Sequence, residues 1–144
     1  LEKGPLAGYP VINVHATLLD GKYHDVDSNE LSFRMAAILA FKDAYPKCRP
    51  VLLEPIMKVR ISVASQYLGD VISDVSTRRG RISGMEGNDQ LQVVEAFIPE
   101  AEIIDYSMNL SSLTQGNGVF TREFHGYEEV PAHLVDKIIK EANQ

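Results

Sequence analysis

The sequence predicts an α+β chain, a short β-α segment followed by a ferredoxin-like β-α-β-β-α-β array with one added C-terminal helix. Three observations carry that prediction. Apolar and polar residues alternate from Met57 to Val63, and three further short stretches after it read as strands. Apolar stripes with helical spacing fall between them. The middle two stretches are joined by Glu86-Gly87-Asn88-Asp89-Gln90, whose Gly and Asn tolerate a hairpin's positive φ.

From the N-terminus, Val11 to Leu19 is rich in Val, Ile and Thr and ends in Asp20-Gly21, which predicts a strand and a turn. The loop Lys22-Tyr23-His24-Asp25-Val26 follows. Asp27 is the expected N-cap of a helix, with Glu30 three residues on in the capping-box position. That helix, Leu31 to Tyr45, carries two apolar stripes, so it needs cover on more than one side. Tyr45-Pro46 and Arg49-Pro50 end it, because proline clashes with the preceding turn and has no N–H to donate. A domain boundary is expected there, with residues 1–49 and 50–144 on its two sides.

In the second part, Met57, Val59, Ile61 and Val63 alternate with Lys58, Arg60 and Ser62, the pattern of a strand with one buried face. Ser65 is placed to cap a helix from Gln66 to Arg79, with Leu68, Val71, Ile72 and Val75 as its stripe and Gly80 as its left-handed closing residue. Arg81 to Met85 and Leu91 to Ile98 form the hairpin. Pro99 is expected to open the next helix, whose buried face is Ile103, Tyr106, Leu110 and Leu113. Val119 to Phe124 is the last strand. Leu134, Val135, Ile138 and Ile139 line a closing amphipathic helix after Pro131.

Composition is that of an ordinary globular chain, with 44% hydrophobic and 24% charged residues. Cys48 is the one cysteine and forms no internal disulfide. With no signal peptide and no run of about 18 apolar residues, a cytoplasmic chain without a membrane partner is expected. The net charge of −6 argues against nucleic acid until it is partitioned. Residues 1–50 are balanced, and the stretch between Arg81 and Arg122 holds six acidic residues and no basic one. Just before it, Arg78, Arg79 and Arg81 put three positive charges in four residues. Exposed charges screen one another beyond roughly 8 Å at physiological salt, so an acidic body leaves local anion sites possible.

Two groups are therefore candidate contacts. In the loop Gly21, Lys22, Tyr23, His24 and Asp25, the imidazole can donate to phosphate or ribose and stack on a base, with lysine adding charge and tyrosine a stacking face. The plain alternative is an exposed histidine without a role. Arg78, Arg79 and Arg81 suit forked phosphate contacts, while Arg78 and Arg79 also complement a helix C-terminus. His24, Asp25 and Asp27 offer too few ligands for a closed metal site, and His24 lacks a nucleophile or orienting partner for catalysis. Gln115-Gly116-Asn117-Gly118 reads as a cap and turn rather than a phosphate cradle.

Several runs occur together and in order: Gly4-Pro5-Leu6-Ala7-Gly8-Tyr9-Pro10-Val11, Tyr23-His24-Asp25-Val26-Asp27-Ser28, Pro50-Val51-Leu52-Leu53-Glu54-Pro55-Ile56-Met57, Leu68-Gly69-Asp70-Val71-Ile72, Leu113-Thr114-Gln115-Gly116 and Tyr127-Glu128-Glu129-Val130-Pro131. Over essentially the whole chain they resemble the C-terminal part of bacterial elongation factor G, a translational GTPase. The resemblance implies that residues 1–49 are the later part of domain IV and residues 50–144 are domain V. It implies as partners the ribosome, with its RNA and proteins, the tRNA and mRNA of the decoding region, and the N-terminal GTPase domains of a parent factor. GTP and Mg²⁺ belong to those domains. No cofactor is expected in this chain, which has no G-x-x-x-x-G-K-[ST] loop.

By resemblance, Gly21 to Asp25 is the tip of domain IV, which enters the decoding region behind the moving tRNA, and Arg78, Arg79 and Arg81 face ribosomal RNA. Asn117 and Thr77 stand where the family usually has arginine, and Arg122 where it typically has methionine. A ribosome-protection paralogue and a stand-alone ferredoxin-like ligand-binding module are the alternatives, the latter requiring a concave apolar site.

Overall fold

A computed structural model describes residues 2–142 and divides the chain into two compact units. One comprises the residues up to Leu52 together with those from Val130 onward, and the other is Leu53–Glu129. The outer bounds expected for the two domains, Leu1 and Gln144, lie outside the described residues.

The second unit is built on four strands, β1 (Leu53–Ala64), β2 (Arg81–Gly87), β3 (Leu91–Pro99) and β4 (Val119–Glu129). They form one antiparallel sheet in the order β2-β3-β1-β4, with helix α2 (Leu68–Thr77) between β1 and β2 and helix α3 (Tyr106–Leu113) between β3 and β4. This is the split βαβ arrangement that the order of strands and helices in the sequence predicts. The period of two sorts β1 cleanly. Val59, Ile61 and Val63 are fully buried together with Val94, Ala96 and Ile98 of β3, Val71 and Val75 of α2, and Tyr106 and Leu110 of α3. The intervening residues face the other side, where Lys58 and Arg60 pair with Glu95, and Arg60 also with Glu86. Such half-exposed pairs each contribute about 0–1 kcal/mol, so apolar burial holds this unit together. Two bulges interrupt the ladders, at Ser83 in β2 and at His125 in β4, whose ring lies 4.4 Å from that of Phe97.

Several local expectations are corrected here. The helix after β1 is preceded by a 3₁₀ turn, Ser65–Tyr67, and has no side-chain cap, because the Ser65 hydroxyl donates instead to the Asn88 carbonyl of the hairpin loop. At its other end the left-handed residue is Arg79, with φ 57°, not Gly80. Gly80 is required for a different reason: a Cβ there would lie 2.6 Å from Val75 Cγ1 and 2.7 Å from the Val75 carbonyl oxygen. Pro99 closes β3 rather than opening a helix. It leads into the 3₁₀ turn Glu100–Glu102, and α3 begins only at Tyr106.

In the first unit, helix α1 (Glu30–Ala44) continues into a 3₁₀ turn, Tyr45–Cys48, and Arg49 at φ 51° ends it. Helix α4 (Ala132–Ala142) packs Leu134, Val135, Ile138 and Ile139 around Leu6, Ala7, Leu52 and Val130. The strand expected over Val11 to Leu19 and the turn at Asp20-Gly21 do not form. A strand is stabilised by ladder bonds to a neighbour, and among the described residues this unit contains no strand to supply them. The Val and Ile content that signalled a strand is instead exposed, as at Ile12 and Val14. The doubly apolar α1 likewise has no buried residue, with Leu31, Phe33, Met35, Ile38 and Leu39 all exposed.

Candidate ribosome-contact surfaces

The loop of the first unit is anchored at one end by its backbone. The His24 N–H donates to Ser28 Oγ at 2.7 Å, and the His24 carbonyl accepts from the N–H groups of Asp27 and Ser28 at 3.3 and 3.0 Å. Asn29 then caps α1. Its Oδ1 accepts from Ser32 N–H at 2.8 Å, and Ser32 Oγ accepts from Asn29 N–H at 2.9 Å, a reciprocal capping box. The cap is therefore Asn29, not Asp27. The His24–Ser28 turn occupies Asp27 and moves the helix start two residues on, to a box completed by serine rather than Glu30.

The consequence is a loop held at its His24 end with unengaged side chains. Residues 12–27 are exposed throughout, and the side chains of Lys22, Tyr23, His24 and Asp25 make no hydrogen bond or ion pair among the described residues. Gly21 is steadied by its N–H, which donates to Asp20 Oδ1 at 2.7 Å. No cluster of three metal-ligating residues exists among the described residues.

Arg78, Arg79 and Arg81 are brought together at the corner between α2 and β2, each facing carboxylates of its own unit. Arg78 Nε donates to Asp74 Oδ2 at 2.8 Å and its Nη1 to the Glu102 carbonyl at 2.7 Å, while its guanidinium lies 5.0 Å from the Tyr106 ring centroid. Arg79 forks onto both oxygens of Glu54 at 2.7 and 2.9 Å and reaches Glu102 Oε1 at 3.0 Å. Those partners hold its guanidinium pKa above the usual arginine value, Glu54 contributing most, against the opposing effect of burial. Arg81 pairs with Glu128 but keeps 64% of its side chain exposed, against 16% for Arg78 and 25% for Arg79. Three guanidinium groups thus meet four carboxylates, so the corner carries no local excess of positive charge. Asp74 was legible as an i, i+4 partner of Arg78. Glu54 and Glu102 stand 25 and 23 residues from Arg79 and carried no local signal.

Beneath this corner Tyr106 is fully buried, and its hydroxyl has no hydrogen-bond partner among the described residues. Burial first, and the Asp74 charge second, raise its phenol pKa well above the ordinary value, with Arg78 opposing. The unfolded chain's phenol ionises at about pH 10. The stability conferred by keeping Tyr106 neutral is therefore complete below that value and falls as the pH rises towards the folded one. Tyr106→Phe is expected to leave stability in neutral urea unfolding unchanged or to raise it by about 1 kcal/mol, since an unpaired hydroxyl is removed. It is also expected to abolish this alkaline loss; a variant destabilised at neutral pH would show that the hydroxyl is bonded.

Arg122 lies across from Val59 on the helix side of β4, in an open hollow of about 460 Å³ lined by Glu54, Pro55, Glu100, Ala101 and Ile104. That lining is mixed and charged, unlike the concave apolar site a small-ligand module requires. No helix among the described residues is long and apolar enough to cross a membrane.

The sheet order and its two covering helices define a ferredoxin-like α+β module, extended here by a loop and helix. Fold alone assigns no function, so relatives decide the family. Residues 1–49 match the family described as "Elongation factor G, domain IV", and residues 51–138 match "Elongation factor G C-terminus". A crystal structure of a protein from Thermus thermophilus is similar at a TM-score of 0.87 and 47% sequence identity, covering 99% of this chain and 22% of that one. The chain belongs to the elongation factor G family and carries a translation-factor region of that kind, spanning about a fifth of the length of the Thermus chain.

Proposed function

We propose that the chain is the ribosome-contacting part of a translational GTPase that promotes movement of tRNA and mRNA in the cytoplasm. The observation that carries this reading is the state of His24. Both backbone polar groups are fastened, while the imidazole and the neighbouring Lys22 and Tyr23 side chains are left for an outside partner. A loop already held at its His24 end has less backbone left to order on docking, and its side chains match the donors and stacking faces that unpaired RNA takes.

In this mechanism the lever is mechanical. GTP and Mg²⁺ are bound by other domains of the factor, and nucleotide hydrolysis there drives the loop Gly21 to Asp25 into the decoding region. Once there, His24 and its neighbours hold the tRNA–mRNA duplex forward. The second contact, to ribosomal RNA, centres on Arg81, whose guanidinium is the most exposed of the three. Arg78 and Arg79 shape that contact by holding the α2–β2 corner.

Salt dependence tests the reading. A phosphate contact contributes close to one unit of slope in log affinity against log salt concentration. In the full-length factor, Lys22→Ala and Arg81→Ala are each expected to weaken ribosome binding and to flatten that slope by about one unit. Unchanged slopes in both variants would refute the RNA contacts.

A further inference from the structure

The turn between α3 and β4 carries chemistry that ribosome contact does not use. Asn117-Gly118 is the one Asn-Gly pair of the chain; the other five asparagines precede Val14, Glu30, Asp89, Leu110 and Gln144. Asparagine is thermolabile, and glycine places no Cβ beside the backbone nitrogen that attacks it. Here Asn117 is exposed, and the Gly118 N–H makes no hydrogen bond among the described residues. Packing holds the glycine in place, because a Cβ on residue 118 would lie 2.7 Å from Thr114 Oγ1 and 2.9 Å from Leu110 Cγ. The labile pair is thus fixed from its second residue by the buried Thr114 and Leu110.

We infer that Asn117 is a site of spontaneous deamidation whose product loosens the α3–β4 connection. The Gly118 nitrogen, giving its proton to solvent, attacks Asn117 Cγ; the bond from Cγ to the side-chain nitrogen breaks and ammonia leaves, closing a succinimide. Water then adds to either ring carbonyl and opens it to aspartate or isoaspartate. No electron is transferred. In the unmodified chain the Asn117 amide donates to the carbonyls of Thr114 at 3.2 Å and Gln115 at 3.4 Å, closing the turn after α3. A carboxylate cannot donate to either oxygen and is repelled by both. It also sits at the C-terminal end of α3, where the helix dipole disfavours an anion. The isoaspartate form adds a methylene to the backbone beside Gly118, displacing a residue that packs closely against Thr114 and Leu110.

The test is peptide mass mapping with isoaspartate detection on the purified chain held in mildly alkaline buffer, alongside Asn117→Gln and Asn117→Asp. The expected result is an amide-to-acid mass change at Asn117 exceeding that at each of the other five asparagines, and absent from residue 117 in Asn117→Gln. Asn117→Asp is expected to unfold at a lower urea concentration than the unmodified chain. Conversion at Asn117 no faster than at Asn88 would overturn the site, and an unshifted urea midpoint in Asn117→Asp would overturn its consequence.

Discussion

Arg79→Ala is expected to lower the unfolding free energy of this chain by about 2–3 kcal/mol, whereas Arg81→Ala, two residues away, is expected to lower it by about 1 kcal/mol or less. Both replace an arginine in one short positive run; the difference is what each touches. Arg79 is three-quarters buried and forks onto Glu54, whose side chain is only 12% exposed, so removing it leaves a nearly buried carboxylate without its partner. It also ties β1, through Glu54, to the turn before α3, through Glu102. Arg81 loses one exposed pair with Glu128. Urea unfolding distinguishes the two. Arg79→Lys is expected to recover little, since an ammonium keeps the charge but not the fork. Arg79→Gly is expected to be less damaging than Arg79→Ala by about 1 kcal/mol, because residue 79 sits at φ 57°. Equal effects at Arg79 and Arg81 would show that Glu54 does not hold the corner.

That contrast between Arg79 and Arg81 separates what was legible in the sequence from what was not. The sheet was legible because its signal is local and repeated: alternation in β1 buries Val59, Ile61 and Val63, and the Gly/Asn loop joins β2 to β3. The helix ends were less so. Asp27 and Asn29 are both good caps, and only the His24–Ser28 turn decides between them. Gly80 is needed for the close approach of Val75 while the positive φ falls on Arg79, a division that composition does not reveal. Val11 to Leu19 has strand composition without a ladder partner among the described residues of its unit, since propensity becomes structure only where backbone bonds can be completed. At the candidate sites, the residue types of His24 and the arginines were readable, but their commitments were not. Glu54 and Glu102 meet Arg79 only after the chain has folded, and they convert an apparent anion site into an internally neutralised corner with Arg81 at its rim.

The largest functional effect is expected at the other surface. His24 contributes its backbone to the turn before α1, and those bonds survive truncation of the side chain, so His24→Ala keeps the fold and removes only the imidazole. Its folded stability is expected to match that of the unmodified chain to within about 0.5 kcal/mol. In the proposed mechanism the imidazole acts after hydrolysis, when the loop meets its RNA target, so energy release and movement come apart in the variant. Lys22→Ala removes charge from the same loop and is expected to weaken binding uniformly, whereas His24→Ala is expected to slow the movement itself.

The most direct measurement is therefore single-round translocation by the full-length factor carrying His24→Ala, read beside ribosome-stimulated GTP hydrolysis in the same mixture. Translocation slowed on the order of tenfold or more, a barrier increase of at least about 1.4 kcal/mol, with hydrolysis unchanged, is the expected result. Translocation at the unmodified rate, or a parallel loss of hydrolysis, would contradict the assignment of this loop as the working tip.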